Sequence, residues 1–351
     1  MRQLIHFVHN FGIINLFLIF FFGINLLTFT LYGIANRRAI KNKNQISEQV
    51  LLFFTWFLGG IGALFAVILF KYRTKKLKSN ISLLAGLIIA VIPLIHVGHA
   101  LTLDRVIRYV EIDFYSEDWP AELNGYRIAF MTDMHAITDE DMAAVVIELN
   151  ARNLDLLLLG GDFHSDVFWG GTHYQGTVRE LSRAITTDGI FGVEGNHDVY
   201  DRLFEAKAYH GIGVLDNSGL HIRDHFFLAG VQDLWNRDPD IAEATKGANE
   251  DDFILLVSHN PDVSMLQPTN HLNLILSGHT HGGQITFFGW PFYLYRQSVT
   301  HYGTRFAHGW NDSADGVPIF TSRGIGPYYN WPRIFARPEV IIFTMNNEAS
   351  E

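Results

Sequence analysis

Leu272-Asn273-Leu274-Ile275-Leu276-Ser277-Gly278-His279-Thr280-His281-Gly282-Gly283 is the stretch on which the reading of the C-terminal two-thirds of this chain turns. An apolar run of strand length stops at a glycine, and two histidines follow, two residues apart. The same grammar recurs upstream. Phe253 to Val257 leads into Ser258-His259-Asn260-Pro261, and Gly189 to Val193 leads into Gly195-Asn196-His197-Asp198. Leu154 to Leu159 leads into Gly160-Gly161-Asp162, and Tyr126 to Met131 leads into Thr132-Asp133-Met134-His135. Short apolar runs interleaved with amphipathic stretches from about residue 109 are the mark of an α/β domain.

In such sheets the carboxyl ends of the strands are where ligands gather, so residues distant in sequence converge on one crevice. Aspartate and asparagine oxygens with neutral imidazoles suit divalent ions such as Mn, Fe or Zn, and no sulfur is offered. Glycines 160, 161, 195, 278, 282 and 283 permit tight turns and close backbone approach. No phosphate cradle of the Walker type is present. One covering helix is legible: Thr138 as N-cap with Asp141 three residues on, then Met142, Val145, Val146 and Leu149 at helical spacing.

Asp-x-His, Gly-Asp, Gly-Asn-His-Asp, a lone His and Gly-His-x-His, in that order over residues 125 to 345, closely resembles the calcineurin-like metallophosphoesterase superfamily. Ser258 to Asp262, Leu276 to Ile285, Ser322-Arg323-Gly324-Ile325-Gly326 and Pro338-Glu339 look like its bacterial membrane-associated phosphodiesterase branch. That resemblance implies a four-layer α/β/β/α sandwich and hydrolysis of phosphate mono- or diesters by a hydroxide activated between two metals. It implies one metal on Asp133, His135 and His281, a second on Asn196, His259 and His279, and Asp162 bridging both. His197 would protonate the leaving group, with Asp198 orienting its ring. One departure stands out: the branch commonly carries an acid three residues after the Gly-Asp aspartate, where this chain has Ser165, and Asp166 is not counted as a ligand.

The other histidines, His164, His173, His210, His221, His225, His271, His301 and His308, read as surface or loop residues. The resemblance sets Arg323 near the last core strands, where it would support the site. Trp290, Phe292, Tyr293 and Tyr295, soon after the His-x-His turn, would dock on lipid, cover the active site or pack in the core.

Outward from this domain the charge changes sign. Residues 1–103 hold ten Lys or Arg and a single acid, Glu48, whereas residues 104–351 hold 16 bases and 35 acids. So acidic a domain argues against a nucleic-acid groove. The chain has no cysteine, which removes disulfides, thiolate ligands and a cysteine nucleophile. Three uncharged runs, about residues 11–35, 50–70 and 81–103, are each long enough to cross the roughly 30 Å apolar core of a bilayer. No cleaved leader is expected.

Orientation is harder to read. Arg37, Arg38, Lys41 and Lys43 follow the first run, and Lys71, Arg73, Lys75, Lys76 and Lys78 follow the second. Strict alternation sets these groups on opposite sides, and with Arg2, Arg105 and Arg108 included the positive-inside rule gives a tie. Gly59, Gly60 and Gly62 would let the second run fold back as a re-entrant hairpin, leaving both groups in the cytoplasm. That arrangement, or alternation from a cytoplasmic N-terminus, places the catalytic domain outside; the opposite topology stays open. Tyr32-Gly33-Ile34-Ala35, Gln45 to Glu48, Gly59 to Ala63 and Phe70 to Lys76 resemble a small bacterial membrane domain of unknown function.

The expected organisation is therefore a helical membrane domain over 1–105 and a metallophosphoesterase domain over 106–351. Its partners would be membrane lipids and a phosphate-ester substrate, including phospholipid or lipid-linked esters, not nucleic acid. A non-catalytic tethered scaffold is the rival, disfavoured because every ligand position is filled. A transporter is a second rival, and only His96 and His99 lie as ionisable groups within the runs.

Overall fold

A computed structural model describes residues 2–71, 77–135, 137–163, 174–198, 210–292, 299–327 and 331–347. The chain divides into two compact units, residues 1–101 and 102–351.

In the first unit, three helical segments are long and apolar enough to cross a membrane: Ile14–Ile40, Glu48–Phe70 and Asn80–Arg105. The first lies within α1 (Arg2–Ile40), which kinks at Gly12. The third is mostly α4 (Leu77–Leu101). The middle segment is not one straight helix. It comprises α2 (Glu48–Phe54), a wide turn over Thr55–Gly59 and α3 (Gly60–Phe70). Helical geometry fails at Phe57 (ψ 57°) and Leu58 (φ 65°), and the chain reverses there. Going in, Thr55 meets the hydroxyl of Tyr32 at 2.9 Å, and Phe57 lies 6.2 Å from Phe20. Coming back, the Gly62 amide donates to Asn25 Oδ1 at 2.8 Å, and Phe70 lies 5.4 Å from Phe29. Both arms thus run along the same stretch of α1, and both ends of the segment lie toward the C-terminal end of α1.

Backbone that leaves helical geometry at membrane depth needs partners from the protein itself. Asn25 supplies them at the tip, since its Nδ2 also donates to the Leu58 carbonyl at 3.0 Å. Gly60 allows the close approach to α4: a Cβ there would lie 2.1 Å from the Gly86 carbonyl oxygen.

The second unit contains two six-stranded sheets. The first has the order β1 (Arg108–Tyr115), β12 (Glu339–Asn346), β2 (Tyr126–Met131), β3 (Leu156–Leu159), β4 (Ile190–Gly192), β5 (Gly213–Val214). The second has the order β10 (Gly309–Asp312), β11 (Pro318–Thr321), β9 (Leu274–Ser277), β8 (Phe253–Ser258), β7 (Phe226–Gly230), β6 (Ser218–Arg223). Alternation along β2 and β3 assigns their faces. Ile128, Phe130, Leu156 and Leu158 meet Leu228, Leu255 and Leu276 between the sheets. Ala129, Met131, Leu157 and Leu159 meet the covering helices α5 (Asp139–Asn150) and α6 (Tyr174–Leu181). The outer face of the second sheet packs on Ile241, Ala244 and Val263 from two short helices. These are the four layers α/β/β/α. The capping box is as read: Thr138 Oγ1 accepts from the Asp141 amide at 3.1 Å, and Met142, Val145, Val146 and Leu149 are buried.

Candidate metal centre

β2, β3 and β4 of one sheet and β8 and β9 of the other end at a common edge, so five loops deliver their polar residues to one place. The loops turn sharply to do so. Asp133, His135, Asp162, His279 and His281 all take φ between 40° and 70°, a left-handed region that costs a non-glycine residue about 1–3 kcal/mol and persists where the surroundings over-determine it. Two glycines make room: a Cβ on Gly195 would lie 2.2 Å from Asp162 Oδ1, and one on Gly278 would lie 2.6 Å from Asp133 Oδ2.

The donor atoms converge in two groups that share Asp162. Asp133, His135, Asp162 and His281 form one, and Asp162, His259 and His279 form the other, each with donor atoms within 4.8 Å of one another. His135 Nε2 lies 3.3 Å from Asp162 Oδ2, and His281 Nε2 lies 3.3 Å from Asp133 Oδ1. On the other side of Asp162, His259 Nε2 is 3.2 Å from its Oδ2 and also 3.2 Å from Asn196 Oδ1.

Backbone carbonyls orient two of the rings. His259 Nδ1 donates to the Gly160 carbonyl at 2.7 Å, and His279 Nε2 donates to the Val299 carbonyl at 3.0 Å. The remaining lone pairs, on His259 Nε2 and His279 Nδ1, then face each other at 3.2 Å. His135 Nε2 and His281 Nε2 meet similarly at 3.0 Å. Two ring acceptors at such a distance need a cation or a proton between them, and carbonyl bonds to the far nitrogen are the usual way a metal-binding histidine is aimed. The donor set therefore fits divalent metal.

Electrostatics agree. Burial pushes the Asp133 carboxyl above its usual range, with the neighbouring Asp162 charge adding to it. Burial also opposes ionisation of Asp162, yet His259 and His135 beside it hold it well below. Burial lowers His279 to about 3, helped by the charge of His259. His259 is raised to about 10, because the carboxylates of Asp162 and Asp133 outweigh its own desolvation. The same carboxylates would favour a bound cation.

His197 and Asp198 complete the loop after β4. The His197 ring is half-buried at the mouth, 5.3 Å from that of His135, and its amide donates to Asp162 Oδ1 at 2.9 Å. Asp198 is buried, and its carboxylate accepts three amides: Asp162 at 2.9 Å, Phe163 at 2.9 Å and Gly195 at 2.8 Å. These bonds give Asp198 a task that spacing did not reveal, tying the β3 and β4 loops together. Arg323 bonds Glu339 at 3.1 Å, and its stem lies under Gly282, so it props the His-x-His turn.

Other residues were not legible in the motifs. Arg333 is buried, donates to the His281 carbonyl at 3.3 Å and reaches its Nδ1 at 3.3 Å; nothing in sequence spacing links the two. Trp235 packs edge-on against His279 at 4.5 Å, and Asn236 Nδ2 donates to the Asn196 carbonyl at 2.7 Å. Both belong to a loop after β7 that carries no ligand motif. Of the remaining histidines, His221 pairs with Asp252 at 2.7 Å, His225 with Asp251 at 3.1 Å and His301 with Asp262 at 3.1 Å. His271 bonds Thr245, His308 bonds Arg323, and His210 is half-buried in a turn. His164, Ser165, Asp166, His173, Tyr293 and Tyr295 lie outside the described residues. Trp290 and Phe292 are exposed, which removes core packing for them.

Sequence similarity to known proteins points to the same chemistry. Residues 126–283 match the calcineurin-like phosphoesterase family, and residues 25–78 match a family described as a protein of unknown function, DUF1294. An uncharacterized metallophosphoesterase of Bacillus subtilis, YkuE, is 28% identical over 65% of this chain and 82% of its own length. The phosphodiesterase YaeI of Escherichia coli is 29% identical over 63% of this chain and 82% of its own. A transmembrane protein with metallophosphoesterase domain from Danio rerio is 26% identical over 66% of this chain, which spans 56% of that relative. Members of the family generally use a dinuclear metal centre. The chain accordingly carries a calcineurin-like metallophosphoesterase domain, a hydrolase acting on phosphate esters, joined to an N-terminal unit of apolar helices.

Proposed function

We propose that this protein is a membrane-anchored phosphoesterase in which Asp133, His135 and His281 hold one divalent metal, Asn196, His259 and His279 hold a second, and Asp162 lies between them. The observation that carries this reading is the sharing of Asp162 by both donor groups. Metals bound there would supply Lewis acidity toward the phosphate and a nucleophilic hydroxide at neutral pH. The chain's own residues do the rest. The carbonyls of Gly160 and Val299 accept from one ring nitrogen each and turn the other nitrogen of His259 and of His279 inward. His197, whose ring lies beside that of His135, would give a proton to the departing oxygen, a role supported by the bond from its amide to Asp162. The test is hydrolysis of a chromogenic phosphodiester and its monoester by the purified chain after chelation and after Mn or Zn is restored. Metal-restored turnover, with metal lost in Asp162→Ala and metal kept but turnover lost in His197→Ala, is expected. Equal turnover with and without chelator would sink the reading.

The folded-back middle segment supports a topology. With α2 and α3 returning to the end where they began, the chain crosses twice, through α1 and α4. Nine basic residues, from Arg37 to Lys43 and from Lys71 to Lys78, then share one side, against Arg2, Arg105 and Arg108 on the other. The positive-inside rule makes the nine cytoplasmic and sends the phosphoesterase domain outward. Substrates sharing the plane of the membrane, phospholipid or lipid-linked esters, follow from the anchor. A cysteine introduced at Lys43 should resist an impermeant thiol reagent in intact cells, and one at Glu148 should react; the reverse pattern would overturn this orientation.

A further inference from the structure

β1 begins at Arg108 opposite Glu339, and β12 runs antiparallel to β2 with Ile341 opposite Phe130. The start of β1 therefore lies at the end of β2 that leads into Asp133 and His135. The segment that enters this domain from the last apolar helix arrives at the edge holding the metal ligands. It is fastened there: Asp104 accepts the Phe335 amide at 2.8 Å.

The ring of Phe335 lies 5.2 Å from that of Phe288. Phe288 and Gly289 form a tight turn, with φ of 50° and 88°, between Phe287 and Trp290, whose backbones exchange two hydrogen bonds of 3.0 Å. Turns with two positive φ values favour Asn or Gly, because any other side chain is strained there. Here an aromatic ring occupies the tip. Phe287, Phe288, Trp290, Phe292 and Trp331 are each between 44% and 57% exposed. The patch is tied to the catalytic loops, since Gln284, three residues after His281, donates to the Trp331 carbonyl at 3.2 Å. Arg105 and Arg108 are exposed at the same entry point.

We propose that this aromatic face seats in the headgroup region of the bilayer, so that the metal centre takes phosphate esters of lipids directly from the membrane surface. Tryptophan and phenylalanine partition to that region, and neighbouring arginines complement anionic headgroups. A lipid surface is the occupant because the last apolar helix ends at Leu101, only three residues before Asp104, whose carboxylate accepts the amide of Phe335 next to the patch. The substrate class rests on the phosphoesterase reading above; the seating does not.

The chain's lack of cysteine makes the test direct. Phe288→Cys, Trp290→Cys and Ile147→Cys, the last on α5 and 69% exposed, each carry an environment-sensitive NBD label in the full chain, reconstituted in phosphatidylcholine–phosphatidylglycerol nanodiscs. Spin-labelled lipid should quench the first two at least about twofold more than the third. Equal quenching at all three positions, or shielding of 288 and 290 from water without quenching by lipid, as a second protein copy would give, overturns the proposal. In the same discs, Phe288→Asp with Trp290→Asp should lower the ratio of lipid-ester to soluble-ester turnover about tenfold, given the apolar area withdrawn; an unchanged ratio overturns it. Failure of the unsubstituted chain to hydrolyse the soluble ester would remove the phosphoesterase reading and leave the labelling result to decide the seating.

Discussion

Asp198→Asn separates two tasks for one carboxylate. The buried side chain accepts the amides of Asp162, Phe163 and Gly195. An asparagine can keep its oxygen toward Asp162 and Gly195, but its NH2 group then faces the Phe163 amide, donor against donor. One charge-assisted bond is lost, at about 1.5–3 kcal/mol, and a buried amide is left unsatisfied, at about 1–3 kcal/mol, so the domain should lose roughly 3 kcal/mol or more. For a domain of this size that corresponds to a fall of roughly 6–12 °C in unfolding midpoint. Because the Asp162 amide is one of those tied, metal content should fall with stability. The assay is thermal unfolding of the detergent-solubilised chain, with bound metal counted by atomic emission. Full stability and full metal content together with reduced turnover would refute the loop-tying argument and favour orientation of the His197 ring instead.

Asn25→Leu leaves the Leu58 carbonyl and Gly62 amide without the side chain that bonds both, a cost of several kcal/mol per group in an apolar setting. A cysteine at Leu58 should then become reactive to thiol reagents in membranes; unchanged protection would contradict the folded-back reading. Burial, with the charge of Arg323, holds His308 down at about 4, from an ordinary 6.5. Between those values the unfolded chain takes up a proton that the folded chain declines, so stability is lost as pH falls from 6.5 toward 4 and is retained above. His308→Gln should flatten that limb of the acid-unfolding curve, and a superimposable curve would refute it. Arg333→Met removes the group that bonds the His281 carbonyl and ring and should weaken metal retention in a chelator titration by roughly tenfold, the scale set for residues that orient ligands. Retention equal to that of the parent chain would make Arg333 merely structural.

The local rules were legible in the one-dimensional chain because each is enforced within a few residues. Strand-length apolar runs ending in Gly, Asp or His marked the sheets and their ligand edge, since a strand buried on both faces must be apolar throughout and polar residues must wait for its end. Thr138 and Asp141 marked the start of a helix because capping is a three-residue interaction. Three apolar segments followed from length alone. Arg333, Trp235 and Asn236 were not legible, because what they touch lies 40 to 52 residues away.

Local hydrophobic patterning alone accounts for the ligand-bearing strand ends and the apolar segments. That Asp198 ties two loops and that the middle apolar segment reverses at Phe57 and Leu58 emerges only in three dimensions. Each of these depends on which segments meet in space. A periodic pattern says which face of an element is buried and is silent on what covers it, and length measures how far a helix reaches without revealing whether it turns back.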